Sequence, residues 1–449
     1  MSDCLLSVGL DIGTTSTQMV LSRLKVQNRA GGFSVPEMEI TERQVLYKSP
    51  VHFTPLLDAE NMDAQALRML IQKEYENAGI TPDMVDTGAI IITGESSRKE
   101  NARRVLEALA DMAGDFVVTA AGPDLESVLA AKGSGAVAHS GETTQPILHM
   151  DIGGGTSNLA WIREEKIHHT GCLNVGGRLV TYDDRKTITY VSPVLQGFFA
   201  LQAGRKLEQS QAWQLAQKLA EVLEMAAGLR PWREEGRLLL TREAAGQIPE
   251  PDVRPILSFS GGVADCIAQD LPWDRFGDLG PLLGRAIRNS NLCRGEYLLG
   301  KETIRATVIG AGCHTTRLSG STVFFQNISF PMKNLPAIPI EHAASVPAEE
   351  PVVLLLPWDK PGSYPQICAL AEELIPRLKP PVLLCMEQDM AKALGQALAL
   401  RLPPGTPVLC MDRVRVGQDS YLDIGAPVGG AIALVVKTLV LGNEDRRKI

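Results

Sequence analysis

The sequence predicts an α/β chain made of two duplicated lobes followed by a C-terminal βαβαβ domain. Three observations carry that expectation: an internal repeat, alternating strand and helix patterns around its copies, and a Pro-rich break over Phe330–Pro351. The repeat pairs Val8–Val20 with Leu148–Ala160, so that Asp11-Ile12-Gly13 recurs as Asp151-Ile152-Gly153. Each copy reads apolar strand, Asp, Gly-rich turn with Ser/Thr, and a second apolar strand. That is a β-hairpin whose tip carries no bulky side chain.

Between the copies, Asn61–Gly79 has helical spacing closed by a glycine, Ala89–Thr93 reads as a buried strand, Arg98–Ala113 as an amphipathic helix and Phe116–Thr119 as another strand. After the second copy, Gly176-Gly177-Arg178 is expected to open a helical region. Glu208–Leu229 then carries Trp213, Ala216, Leu219, Val222, Leu223 and Ala226 as the stripe of a packed helix. Ile256–Phe259 is a short strand running into Ser260-Gly261-Gly262-Val263 and a helix start. The Pro-rich stretch reads as a linker. Beyond it, strand Val352–Leu356, helix Tyr364–Leu378, strand Val382–Met386, helix Asp389–Leu402 and strand Val408–Met411 alternate as a parallel sheet, with a helix expected at about 430–441. The expected division is 1–165 for the first lobe with both hairpins, 166–330 for the second, 331–351 for the linker and 352–449 for the C-terminal domain.

Among 449 residues, 52 acidic side chains face 44 basic ones, a formal net charge of −8. This balance argues against a nucleic-acid partner held by bulk electrostatics. No apolar run approaches the ~20 residues that a helix needs to cross a bilayer, so no membrane partner is expected. Met1-Ser-Asp-Cys4 leads straight into the first strand without the flanks of an export signal, which points to a cytoplasmic chain. The eight cysteines are dispersed and form no C-x-x-C, as befits reduced thiols.

A turn with little side chain can present several N–H groups to one anion, which suits Gly13-Thr14-Thr15-Ser16 and Gly153-Gly154-Gly155-Thr156 to phosphate oxygens. Asp11 and Asp151 stand beside these turns, and a carboxylate repels phosphate unless a divalent cation lies between them. Mg²⁺ keeping most of its waters would resolve that repulsion, with Asp11 and Asp151 as its candidate ligands. Two further glycine motifs are decoys. Gly295–Lys301 has P-loop spacing, but Glu302 stands where Ser/Thr would hold the metal. Gly133-Ser134-Gly135 follows a helical stretch instead of a strand and reads as a helix terminus.

With Asp11–Ser16 as first phosphate loop, Asp151–Thr156 as second and Ser258–Val263 as an adenosine-binding strand–turn–helix, the chain resembles the actin-like ATPase superfamily. Within it, Ile92–Asn101 and Val308–Thr316 resemble the EutA family of ethanolamine ammonia-lyase reactivating factors, and the likeness covers nearly the whole chain. The resemblance implies an actin-like fold, ATP or ADP with Mg²⁺ as cofactors, Gly261 and Gly262 at the adenosine, and ethanolamine ammonia-lyase as protein client. It also implies ATP hydrolysis coupled to release of damaged cobalamin from that client, and residence in or near the ethanolamine microcompartment. None of the seven histidines has an Asp two residues before it, so the D-x-H-x-x-G cobalamin motif is absent and no cobalamin is expected on this chain. Glu95 matches the region that orients the attacking water; Asp151 is its rival, and a helix-capping role for Glu95 is the structural alternative. An actin-like small-molecule kinase or phosphatase and a nucleotide-bound scaffold without turnover stay open, as does the oligomeric state, a homo-oligomer included.

Overall fold

The computed structural model describes residues 3–13, 16–28, 38–57, 61–93, 105, 109, 116–120, 123–241, 253–300, 302–314, 316–318, 323–345, 351–357, 363–412, 414, 416, 420–428 and 431–438. Strands β1 (Asp3–Ile12), β2 (Ser16–Asn28), β3 (Met38–Lys48), β4 (His52–Phe53), β5 (Thr87–Ile92) and β6 (Phe116–Ala120) build the first sheet, in the order β3-β2-β1-β5-β6 with β4 on β2. The first three are an antiparallel meander, and β5 and β6 add in parallel. Helix α1 (Ala64–Ala78) starts where the Asp63 side chain accepts the Ala66 N–H and stops at Gly79, whose φ is 68°. Its Leu67, Ile71 and Tyr75 pack with Val8, Leu10, Ile90 and Ile92 of the sheet. The predicted helix Arg98–Ala113 lies mostly outside the described residues.

The second sheet repeats this plan. After α2 (Pro123–Gly133) come β7 (Ile147–Ile152), β8 (Ser157–Arg163) and β9 (Lys166–Leu173), then the hairpin β10 (Val180–Tyr182) with β11 (Ile188–Val191), and later β12 (Ile256–Ser260) and β13 (Tyr297–Leu299). The order β13-β12-β7-β8-β9 again joins an antiparallel meander to two parallel strands. The expected duplication is therefore one of topology as well as of motif. Helices α3 (Gln209–Ala226), α4 (Gly262–Ala268) and α5 (Gly280–Asn289) complete this lobe. A capping box between Glu208 and Gln211 starts α3, and Ala216, Leu219, Val222, Leu223 and Ala226 are buried as the spacing predicts. Gly176-Gly177-Arg178, expected to open a helix, instead forms a turn ahead of β10, because its amides bond to the second hairpin.

Helix α6 (Ala306–His314) returns the chain to the first sheet and lies on β1, β2 and β5, while α2 lies on β7, β8 and β9. The two helices cross in direct backbone contact. Gly133 faces the Ala306 carbonyl and Gly310 faces the Leu129 carbonyl, and a Cβ at either glycine would collide with backbone. This crossing joins the two lobes.

The third sheet departs from expectation. Its order is β14-β21-β20-β16-β17-β18-β19-β15, with β14 (Thr316–Leu318), β15 (Phe324–Gln326), β16 (Met332–Pro339), β17 (Val353–Leu356), β18 (Val382–Met386), β19 (Val408–Met411), β20 (Ser420–Val428) and β21 (Ala431–Thr438). The βαβαβ core is present as β17-β18-β19 with α7 (Tyr364–Leu374) and α8 (Ala391–Ala399). Alternate residues divide between its faces: Leu354, Leu384 and Val408 meet the helices, whereas Val353, Leu383 and Leu409 join Leu422, Ile424, Ile432 and Leu434. The segment 331–351, expected as a linker, supplies β16 inside this sheet; Pro336 pairs with Tyr421 just before the β17 pairing begins at Ala337, and Pro339 ends the strand. The helix expected at 430–441 is strand β21, since Ile432 and Leu434 alternate into the core. Sheet membership also moves the expected boundaries. β7 and β8, placed before residue 165, belong to the second sheet, and β14 and β15, placed before residue 330, belong to the third.

Gly310→Ala should lower the unfolding free energy by on the order of 1–3 kcal/mol, because the collision is with a carbonyl that no rotamer change can relieve. Urea denaturation read by circular dichroism checks this.

Candidate functional site

The two hairpins are built alike. Asp11 pairs across its hairpin with Gln18 and Asp151 with Asn158, and each meander closes through one bond: Gly13 N–H to the Ser16 carbonyl at 2.8 Å, Gly153 N–H to the Thr156 carbonyl at 2.9 Å. The second therefore turns through Gly154-Gly155; Thr14 and Thr15 of the first lie outside the described residues. The Gly13 carbonyl accepts the Thr54 hydroxyl at 2.7 Å, which ties the first loop to the segment after β4.

The second loop is strapped from behind. Gly177 N–H reaches the Gly153 carbonyl at 3.0 Å and Arg178 N–H reaches the Gly154 carbonyl at 2.6 Å. Because a trans peptide points N–H and C=O in opposite directions, the N–H groups of Gly154 and Gly155 face away from the strap. Gly155 is exposed and has open space around its α-carbon. That arrangement suits an anion. The adenosine motif sits directly beside it: Gly261, at φ +85°, lies so close to the Ile152 carbonyl that a Cβ would collide, and Gly262 opens α4.

Asp11 and Asp151 face each other closely enough for their charges to repel. Burial, chiefly, and the Asp151 charge raise the Asp11 pKa to about 7, against a favourable bond from the Thr93 hydroxyl at 2.8 Å. Burial raises Asp151 to about 6, opposed by bonds from the hydroxyls of Ser260 and Thr307. Two amide oxygens add to the donor set: Gln18 Oε1 and Asn158 Oδ1 are buried without a hydrogen-bond partner among the described residues, while their amino groups bond to the Ile304 carbonyl and Glu126. Carboxylate and amide oxygens are hard ligands, and no group of three His, Cys, Asp or Glu able to hold a metal occurs among the described residues. This is the chemistry of a Mg²⁺ site that keeps several waters, and the residues present fit that ion.

The structure thus brings together Asp11, Gly13, Ser16, Asp151, Gly153, Gly154, Gly155, Thr156, Gly261 and Gly262. Glu95 lies outside the described residues. Thr93, Ser260 and Thr307 bond to the two carboxylates and Gln18 lies opposite Asp11; Ser260 falls inside the adenosine motif, whereas the sequence singles out none of the other three for this role. The segment 303–307 knits the lobes together here: Gly261 N–H bonds to the Thr303 carbonyl, Gln18 to Ile304, Arg305 to the Ser49 carbonyl and Thr307 to Asp151. The decoys resolve as expected. Tyr297–Leu299 is an edge strand on β12 with Glu302 paired to Lys48, and Gly135 is the left-handed residue after α2.

A carboxyl whose folded-state pKa lies above its ordinary value of 3.8 costs stability once the pH exceeds that value, so the ionised Asp11 weakens the nucleotide-free protein as pH rises from about 4 to about 7. Asp11→Asn should therefore raise the unfolding free energy at pH 8 by on the order of 2 kcal/mol. The gain should vanish near pH 4, as read by urea denaturation at both pH values.

The family profile described as "Ethanolamine utilisation protein EutA" matches residues 3–442. The ethanolamine ammonia-lyase reactivase EutA of Salmonella typhimurium is 38% identical over 466 aligned residues, covering 97% of this chain and 98% of that protein. The Escherichia coli reactivase of the same name is 38% identical over 465, with the same coverage. Among solved structures, the Ppx/GppA family member of Aquifex aeolicus superposes with a TM-score of 0.39 at 12% identity, over 69% of this chain and 97% of that one. From a profile that spans nearly its whole length and relatives that align end to end, the chain belongs to the EutA family.

Proposed function

We propose that this protein is a nucleotide-driven reactivase of ethanolamine ammonia-lyase, in which the two hairpins grip the phosphate tail of ATP or ADP and motion between the lobes acts on the client. The carrying observation is the opposition of Asp11 and Asp151 at the ends of equivalent strands in two duplicated sheets. The names of the curated relatives support the client. Mg²⁺, when bound, supplies the positive charge that lets these carboxylates and the phosphates share the cleft. Asp11 and Asp151 would hold it, and the Ile304 carbonyl fixes the Gln18 amide opposite Asp11. The amides of the second loop receive phosphate oxygens, and Gly261 and Gly262 leave room for the adenosine beside β7. Asp151 is the described candidate for positioning the attacking water, with Glu95 its rival.

In this reading the nucleotide bridges both lobes, so ATP and ADP states differ in how the lobes are held, and work on the client follows from its different affinity for the two states. Damaged cobalamin leaves the client and intact adenosylcobalamin replaces it there; the cobalamin sites belong to the enzyme, not to this chain. No described helix is long and apolar enough to cross a membrane, and we place the protein in the cytoplasm with its client.

Incubation with hydroxocobalamin-blocked ethanolamine ammonia-lyase, ATP, Mg²⁺ and fresh adenosylcobalamin should restore deamination. Asp11→Ala and Asp151→Ala should each abolish the recovery, and unchanged recovery in both would remove the clamp. Chelation of Mg²⁺ by EDTA in the same assay should likewise reduce recovery to the level seen without the protein.

A further inference from the structure

A ladder of four polar side chains runs through the interior of the second lobe. β7 and β12 are parallel with His149 opposite Ser258 and Asp151 opposite Ser260. All four are buried, His149 and Ser260 completely. Hydrogen bonds link them without a gap: Ser258 Oγ to His149 Nδ1 at 3.0 Å, His149 Nε2 to Ser260 Oγ at 2.9 Å, and Ser260 Oγ to Asp151 Oδ1. Intervening residues Met150 and Phe259 point the other way, into the apolar core. A polar seam of this kind is costly to bury unless every member is satisfied.

Donor and acceptor chemistry gives the chain a direction. An ionised carboxylate only accepts, so the single Ser260 proton goes to Asp151 and Ser260 Oγ must accept from His149. The imidazole then carries its proton on Nε2, and its Nδ1 lone pair accepts the Ser258 hydroxyl. Ser134 Oγ stands 3.5 Å from Nδ1 and bonds to the Ala131 carbonyl, which leaves the assignment unchanged. Asp151 Oδ2 is reached from the other side by Thr307 at 3.4 Å.

We propose that His149 is a positioning residue for Asp151: as an Nε2–H tautomer it turns the Ser260 hydroxyl onto Oδ1, and so fixes the orientation in which this carboxylate meets the metal–nucleotide complex. The inference rests on the reading of Asp151 as part of the clamp. His149 touches neither metal nor nucleotide and acts through Ser260. Partners that orient a metal ligand from behind are worth 10–100-fold in metal affinity. The Mg²⁺ concentration for half-maximal nucleotide binding should rise in proportion.

Binding of a fluorescent ADP analogue is titrated with Mg²⁺ and measured separately in EDTA. His149→Leu should raise the half-saturating Mg²⁺ concentration about 10-fold or more and leave the EDTA affinity unchanged. Ser260→Ala should reproduce the effect. His149→Gln, whose amide can donate from the Nε2 position, should return within about 3-fold of the parent. Nitrogen-15 NMR of the nucleotide-free protein should show His149 protonated on Nε2. An unchanged Mg²⁺ dependence in either His149→Leu or Ser260→Ala, equal losses with and without metal, or a proton on Nδ1 would each overturn the proposal. If His149→Leu does not fold, Ser260→Ala and the tautomer decide. Failure of the parent protein to bind nucleotide with Mg²⁺ would instead sink the clamp, while the tautomer still tests the hydrogen-bond chain alone.

Discussion

Two carboxylates held face to face in a poorly solvated cleft govern this molecule. Burial raises both Asp11 and Asp151 well above ordinary carboxyl values, and the Asp151 charge raises Asp11 further, a cost that a protein selected only for stability would avoid. The surroundings confine that cost without removing it. Thr93, Ser260 and Thr307 each donate one hydroxyl, and two buried amide oxygens, on the residues paired across the hairpins from the acids, have no donor among the described residues. Such a site suits a cation placed beside an anion. The duplicated sheets, the crossing of α2 with α6 and the 303–307 segment are what bring the two acids together.

Much of this was legible in the sequence, and for a physical reason. A hairpin tip free of bulky side chains is local in sequence, so Asp-Ile-Gly followed by small and hydroxyl residues leaves a visible trace twice. The parallel strands Val382–Met386 and Val408–Met411, buried on both faces, read as unbroken apolar runs and lie where expected. Local pattern failed where tertiary pairing decides. Ala431–Thr438 is apolar enough for a buried helix, and its pairing between β20 and β14 makes it a strand. The prolines of 331–351 suggest a linker, yet Pro336 and Pro339 lie in β16, between β20 and β17. Gly176-Gly177-Arg178 reads as a helix start because nothing local records that its amides bond to the second hairpin.

The second half of the site was hidden for a related reason. Thr93, Thr307 and Gln18 come from three separated segments, and single hydroxyl or amide residues carry no signature of their own. His149 lies two residues before Asp151 on an otherwise apolar strand, where a histidine reads as a satisfied core residue. Its meaning emerges only from the register of β7 against β12.

The contact between α2 and α6 constrains how the lobes can move. Glycine meets carbonyl there with no side chain interposed, so the joint lacks the compliance that flexible rotamers give an ordinary helix interface. A stiff, narrow fulcrum of this kind lets one body pivot on the other while resisting any slide along the helix axes. Torque generated at the cleft would thus reach distant surfaces as an angle, with little dissipated by the material in between.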